Sequence, residues 1–401
     1  MSALLNDTDL VDRILAHVDA RSTDKGSTVW REPAANYASP ERFAAEIEVL
    51  RRVPMAFCPS AALPEPGSYI ARTTVGTPLL VVRGLDGIVR GFRNACRHRG
   101  MKLEQGEGCK RAFACPYHAW TYGLDGALRH VPGEDGFPGL DKEAHGLVPV
   151  TVQEKGGLVF VTQDAPLSDG ALPDVPELLP PDYVLFNKLE FDDKANWKLI
   201  GETSMEGYHI KALHNQSFYP YGYDNLNIVE LHGRNSRIVF PFRRIEKLRQ
   251  LPREQWSVQG RITDVHQLFP NTHVSFLSSH AMLIILEPVS PTETHWVVYQ
   301  LAPRIKNGQP LDLEQARRDA SFVQDAGLTE DRAAACAIQA GLASGANSHF
   351  TFGHYEQAIG HFHRHLTEHV LMLEAQRGQA PGLEVLTRSP CVPWTETNHS
   401  Y

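Results

Sequence analysis

The stretch "NACRHRGMKLEQGEGCKRAFACPYHAWTY", residues 94–122, constrains this chain more than any other part of it. Four of its residues form two pairs, Cys96-x-His98 and Cys115-x-x-His118, each following a strand-like run and each offering one thiolate and one imidazole. Gly100, Gly106, Gly108 and Pro116 supply tight turns between them. Two thiolates and two imidazoles can hold tetrahedral zinc. The same set can hold a [2Fe–2S] cluster, with cysteines on one iron and histidines on the other. Zinc modules tend to pair Cys with Cys and His with His. Here each loop contributes one of each, which suits two loops gripping a two-iron cluster.

The rest of the composition is ordinary. Six cysteines in 401 residues (Cys58, Cys96, Cys109, Cys115, Cys336, Cys391) are too few and uneven for a disulfide scaffold, so their clustering points to metal or catalysis. A net charge of -8 argues against a nucleic-acid scaffold, and no basic run suggests a membrane surface. No segment approaches the roughly 18 apolar residues of a membrane span. Leu10, Val11, Ile14, Leu15 and Val18 recur at helical spacing, an amphipathic helix rather than a signal peptide. A cytoplasmic chain is expected.

Residues 68–163 read as strands, with hairpins predicted at Asp86-Gly87 and Asp125-Gly126. The Pro-rich stretch 164–184 reads as a linker. Beyond it come a helix over 196–214, several strands, helices over 311–326 and 329–344, and a long helix near 353–376. The expected division is 1–45 as an N-terminal helical segment, 46–165 as the cluster domain and 166–401 as the catalytic domain.

A cluster of this kind passes single electrons, so it needs an acceptor. "NWKLIGETSMEGYHIKALH", residues 196–214, offers Glu202, Glu206, His209 and His214. Two histidines and a carboxylate with open positions form the facial triad of non-haem Fe(II) oxygenases. His209 and His214 lie five apart, and a straight helix would point them roughly opposite. A local break is needed for both to face one metal.

"CRHRG" and "CPYHAWTY" resemble the signature of the Rieske non-haem iron oxygenases, in the catalytic alpha subunits of the ring-hydroxylating family. The "NWK … Tyr-His … His" stretch is similar to that family's second motif. The resemblance implies that Cys96, His98, Cys115 and His118 hold the [2Fe–2S] cluster and that His209 and His214 bind Fe(II). "LTEDRAAACAIQAGLASG", residues 328–345, resembles the segment supplying the third ligand. It makes Asp331 that ligand, ahead of Glu330 and Asp325, with Gln339 fixing the register. Glu206 matches the acid that bridges the two centres, bonding His209 and, across a subunit boundary, His118 of a neighbour. Many members carry Asp there; Glu occurs in branches acting on quaternary amines. Thr203 stands where Asn often follows the acid matched by Glu202.

The implied fold is α+β: a Rieske antiparallel β domain, then a helix-grip (START-like) domain with an antiparallel sheet and long C-terminal helix. The implied activity is terminal oxygenation with O2 and electrons from NAD(P)H through a separate reductase, with or without a ferredoxin; no dinucleotide-binding motif is evident. A trimer of identical chains is expected, ahead of an α3β3 assembly. The first substrate reading is a small aromatic or ring compound. The second is monooxygenation or demethylation of a quaternary amine, favoured by Glu206 and by Phe218, Tyr219, Tyr221 and Tyr223 as a candidate ammonium cage. Loop packing is the plainer reading of those rings. Cys109 fits no ligand slot, and His361, His365 and His369 read as a structural helix face.

Overall fold

The computed structural model describes residues 4–170, 172–306 and 308–378; Cys391 and the tail of the expected 166–401 unit lie outside them. Two seven-stranded antiparallel sheets dominate. In spatial order the first runs Met55–Pro59, Leu158–Thr162, Pro149–Lys155, Val89–Arg93, Thr77–Arg83, Ser68–Thr74, Gly106–Cys109. A small sheet of Ala112–Ala114, Thr121–Gly123 and Leu128–His130 carries the second Cys/His loop. Both predicted hairpins form. At the second, Gly126 has φ +83°, and a Cβ there would run into the Phe92 ring, so glycine is required.

The second sheet runs Tyr183–Asp193, Glu293–Pro303, Ala281–Ser290, Thr272–Phe276, Ile262–Leu268, Asn235–Pro241, Ile228–His232. Met282, Ile284 and Leu286 alternate along one strand and so share a face. That face shares a core with Ile359, Phe362, Leu366, Val370 and Leu373 of helix Gln357–Gln376. The N-terminal helix Asp7–Ala20 buries its predicted stripe, Leu10, Val11, Ile14 and Leu15, against Ile228, Val239 and Ile262 of this sheet. Among the described residues no helix is long and apolar enough to cross a membrane.

Helix Pro40–Arg52 begins at Ser39, whose hydroxyl accepts the Arg42 N–H at 3.1 Å. Its buried Glu46 accepts from Lys198 Nζ at 2.7 and 2.8 Å and from Trp197 Nε1 at 3.1 Å. This network ties the N-terminal segment to the start of the 196–214 stretch. Ser39→Ala removes the cap and is expected to cost about 1 kcal/mol, read from thermal denaturation.

Arg237 forks onto Asp264 of the neighbouring strand, Nε to Oδ1 at 2.9 Å and Nη2 to Oδ2 at 2.7 Å, and also reaches the Leu5 carbonyl. Burial alone would raise the Asp264 carboxyl; His266 and Arg237 outweigh it and hold it at about 2. A folded value below the unfolded one gives stability that is present above about pH 4 and is lost as the pH falls toward 2. Asp264→Asn is expected to flatten that limb of the acid-denaturation curve, followed by circular dichroism.

Two expectations change. The Pro-rich stretch 164–184 is not a slack linker. Leu172, Val175, Leu178 and Leu179 bury in a core that also contains Phe57 and Phe160 of the first sheet and Leu283 and Tyr299 of the second. Glu287 of the second sheet adds a polar weld, accepting from Arg72, Thr74 and the Val75 N–H of the first. Nor is 196–214 a single helix: it divides into Trp197–Glu202 and Ile210–Leu213.

Candidate metal centres and the cavity beside them

The two Cys/His loops close in the same way. In the first, the Cys96 N–H donates to the Met101 carbonyl at 2.8 Å and the Gly100 N–H to the Cys96 carbonyl at 2.8 Å. In the second, Cys115 donates to Trp120 at 2.8 Å and Ala119 to Cys115 at 2.9 Å. Gly100 and Ala119 hold equivalent places with positive φ, 77° and 56°. Glycine takes this conformation freely, whereas alanine takes it against its Cβ.

The loops set their donors at two depths. Cys96 and Cys115 are each 4% exposed, while His98 is half-buried and His118 exposed, their rings 4.7 Å apart. Trp120 stacks on His98 with centroids 4.8 Å apart. The Tyr122 hydroxyl lies 3.2 Å from Cys96 Sγ and accepts the Arg97 N–H at 2.9 Å. Burial pushes the Cys96 thiol up, and burial together with His118 and Arg99 pushes the His98 imidazole down. Cys109 faces the Pro66 carbonyl from an exposed edge strand, with Sγ to O at 3.7 Å.

The 196–214 stretch breaks where side chains compete with the helix. The Thr203 and Ser204 hydroxyls bond back to the Ile200 and Gly201 carbonyls at 2.8 and 3.0 Å. Glu206 Oε2 then accepts the Tyr208 and His209 N–H groups. Gly207 packs so tightly on Asn227 that a Cβ would clash. Past this turn His209 and His214 flank the short helix Ile210–Leu213, with rings 5.0 Å apart. Their Nε2 atoms stand 3.5 and 3.0 Å from Oδ1 of Asp331, in the first turn of helix Thr329–Leu342. Gln339 on that helix accepts the Asn196 N–H at 2.8 Å, fastening it to the histidine stretch.

Each imidazole turns its Nδ1 to a carboxylate: Glu206 Oε1 for His209, and Glu330 Oε2 for His214 at 2.5 Å. Ser217 donates to the same Glu330 oxygen at 2.6 Å. A carboxylate on Nδ1 fixes the tautomer that leaves Nε2 free for a metal. Burial alone would lower both imidazoles. Glu206 with Asp331 outweighs it at His209, and Asp331 with Glu330 at His214, so both are raised. The surroundings favour positive charge at this point, which a bound cation supplies.

Among the described residues, one group of three or more His, Cys, Asp or Glu donors lies within 4.8 Å: His209, His214 and Asp331. It fits a facial triad. The two Cys/His loops set two buried thiols below two paired imidazoles, a donor set that fits a two-iron cluster with cysteines on one iron and histidines on the other. Asp325 accepts from Ser321 at 3.0 Å and is not in the group. His361 and His369 are buried in the C-terminal helix, and burial with His365 and Arg364 holds His361 down at about 3. They pack rather than ligate.

Sequence reasoning weighed Glu330 only as a ligand and missed its part as the acceptor behind His214; the acid pair Glu330-Asp331 was the available signal. Glu330→Gln is expected to weaken iron retention about 10–100-fold, measured as iron per chain after desalting. Unchanged retention would show that the contact is dispensable.

A cavity of about 580 Å³ opens beside His209, His214 and Asp331. Met282, Ile284, Leu286 and Trp296 of the second sheet form an apolar wall. Phe218 lies 5.1 Å from the His214 ring and 6.0 Å from Phe322, which in turn lies 6.2 Å from Tyr221. His273 on the wall is held down at about 4 by burial and so is neutral. The aromatic group of the sequence divides. Phe218, Tyr221 and Tyr223 line the cavity and Tyr219 does not, while the Tyr219 and Tyr223 rings face the guanidinium of Arg243, each centroid 5.5 Å away.

Paired Cys/His loops on one antiparallel domain, with a His-His-Asp group at the cavity of a second, place the chain in the class of Rieske-type oxygenases. The Rieske [2Fe-2S] domain model matches residues 53–147, and the ring hydroxylating alpha subunit catalytic domain model matches 182–372. The chain belongs to this alpha-subunit family. It is 29% identical to the glycine betaine monooxygenase oxygenase subunit of Chromohalobacter salexigens, over 75% of this chain and 78% of that one. It is 34% identical to the carnitine monooxygenase oxygenase subunit of Acinetobacter baumannii, over 46% of this chain and 53% of that one. The matched stretch thus spans about half the length of the carnitine relatives. In fold it resembles a quaternary ammonium Rieske monooxygenase solved with L-carnitine (TM-score 0.71, 23% identity, 85% and 95% of the two chains). It also resembles naphthalene 1,2-dioxygenase (TM-score 0.68, 20% identity, 86% and 94%).

Proposed function

We propose that this chain is the oxygenase component of a monooxygenase for a small quaternary ammonium compound, supplied with electrons from NAD(P)H by a separate reductase. The observation that carries the reading is the His209–His214–Asp331 group beneath a cavity walled by apolar and aromatic side chains. Cys96, His98, Cys115 and His118 hold the [2Fe–2S] cluster, within a domain spanning 46–165. His209, His214 and Asp331 hold Fe(II), within the catalytic part from 166 onward. The chemistry these groups supply when bound is one-electron delivery at the cluster and dioxygen activation at the iron.

The chain's own residues do the rest. Glu206 and Glu330 hold the two imidazoles with Nε2 directed at one point. The sheet wall excludes water from the reacting end, while Phe218, Tyr221 and Phe322 offer rings to an ammonium group. Ring hydroxylation came first from the sequence alone; the betaine and carnitine relatives, together with Glu206, favour the amine. His118 and Tyr117 are exposed at the cluster end, and Tyr208, 61% exposed, sits beside Glu206 and His209. These surfaces support a homotrimer in which His118 of one copy meets Glu206 of the next.

The test is oxygen uptake by the iron-loaded protein with a surrogate reductase and NADH. Glycine betaine, carnitine, choline, benzoate and naphthalene would be compared. Stimulation by the trimethylammonium compounds alone is expected. Stimulation by the aromatics alone would restore ring hydroxylation as the reading.

A further inference from the structure

The cavity wall carries charged residues of both signs. Glu206 and Asp331 belong to the metal site. Asp319 is committed to its neighbours, its Oδ2 accepting from the Ser279 N–H at 3.1 Å, the Ser279 hydroxyl at 2.7 Å and His280 Nδ1 at 2.9 Å. The positive charges are Arg243 and Arg244, which line the cavity and are exposed at the start of the turn Arg243–Gln250. Arg244 Nη2 donates to the Ser278 hydroxyl at 2.9 Å, and its guanidinium lies 4.8 Å from the Phe242 ring. Arg243 is held by the Tyr219 and Tyr223 rings. Its backbone N–H donates to the Tyr221 carbonyl at 2.8 Å, which fixes its place at the cavity. Among the described residues neither arginine forms an ion pair with a carboxylate. The nearby acid, Glu246, instead accepts the Tyr223 hydroxyl at 2.8 Å.

Aromatic faces orient a guanidinium without neutralising it, and they leave its in-plane N–H fork available. A planar fork carrying an uncompensated charge matches a carboxylate, which can take two parallel N–H bonds. We propose that Arg243, with Arg244 beside it, anchors a carboxylate of the substrate in this cavity. Combined with the quaternary-ammonium reading, on which only the other end of the substrate rests, this makes the substrate a zwitterion. The ammonium end lies toward the iron ligands and the carboxylate toward the arginines. A bare cation or an amino alcohol lacks the group that Arg243 holds.

The experiment is anaerobic calorimetric titration of the iron-loaded protein with three ligands. Glycine betaine and choline share the trimethylammonium head but differ at the other end, carboxylate against alcohol; benzoate carries the carboxylate alone. Glycine betaine is expected to bind about tenfold or more tighter than choline. Arg243→Gln is expected to erase that preference and leave choline binding within about twofold of wild type. Arg243→Lys keeps a cation near the tyrosines but loses the fork, so it should fall between the two and guards against a folding artefact. Unchanged glycine betaine affinity in Arg243→Gln, or choline binding as tightly as glycine betaine to the wild type, overturns the anchor. Benzoate binding that depends on Arg243, with neither trimethylammonium ligand bound, upholds the anchor and sinks the ammonium reading.

Discussion

Asp331→Asn is expected to strip the catalytic site of iron while leaving the visible absorption and reduced-state EPR spectrum of the cluster unchanged. Asp331 supplies the only carboxylate in the His209–His214–Asp331 group, and its Oδ1 lies within 3.5 Å of both Nε2 atoms. An amide has similar size but no charge, so the group would offer a divalent ion three neutral donors. Removing an outer acceptor such as Glu330 costs about 10–100-fold in affinity. Losing a charged ligand should exceed that, reducing iron to traces after desalting and oxygen uptake to background. Full iron content with normal uptake would show that Asp331 is not a ligand. If instead Glu330→Gln lost the iron and Asp331→Asn kept it, the two acids would exchange roles.

How legible the molecule was depended on how local each feature is. The two Cys/His loops are closed by hydrogen bonds within six residues, so both pairs could be picked out from spacing, with the family resemblance needed to choose the cluster over zinc. The N-terminal helix, both hairpins and the apolar stripe of the long last helix follow from periodicity and turn chemistry. The sequence called for a break between His209 and His214; the chain breaks ahead of both instead, and the cause lay in the letters: Thr203, Ser204, Glu206 and Gly207 each pull it out of a helix. What stayed hidden is what the tertiary fold assembles. Glu330 meets His214 across 116 positions, and Arg243 meets its tyrosines through a loop without regular pattern. The 164–184 stretch misled for a different reason. Its prolines mark an absence of regular structure, but they do not say that Leu172, Val175, Leu178 and Leu179 are buried between two sheets.

Glu206→Gln is expected to depress oxygen uptake per bound iron by about 100-fold or more, while the cluster is still reduced at the normal rate. Both oxygens of Glu206 receive donors: Oε1 takes His209 Nδ1, and Oε2 takes the Tyr208 and His209 N–H groups. A carboxylate accepts at every position, whereas a glutamine must turn its NH2 toward one of these donors. Either the backbone turn loses its acceptor or His209 loses the bond that fixes its tautomer. Some iron will be lost for that reason, about 10–100-fold in affinity, so uptake must be divided by iron measured in the same sample. The residual effect isolates the proposed bridge to His118 of a neighbouring copy, since that role needs an ionised acceptor between two imidazoles. Glu206→Asp keeps the charge but shortens the reach by one methylene, and it should recover part of the loss. If uptake per iron were the same in Glu206→Gln as in wild type, Glu206 would do no more than hold His209 in place, and the electron would have to reach the iron by another contact.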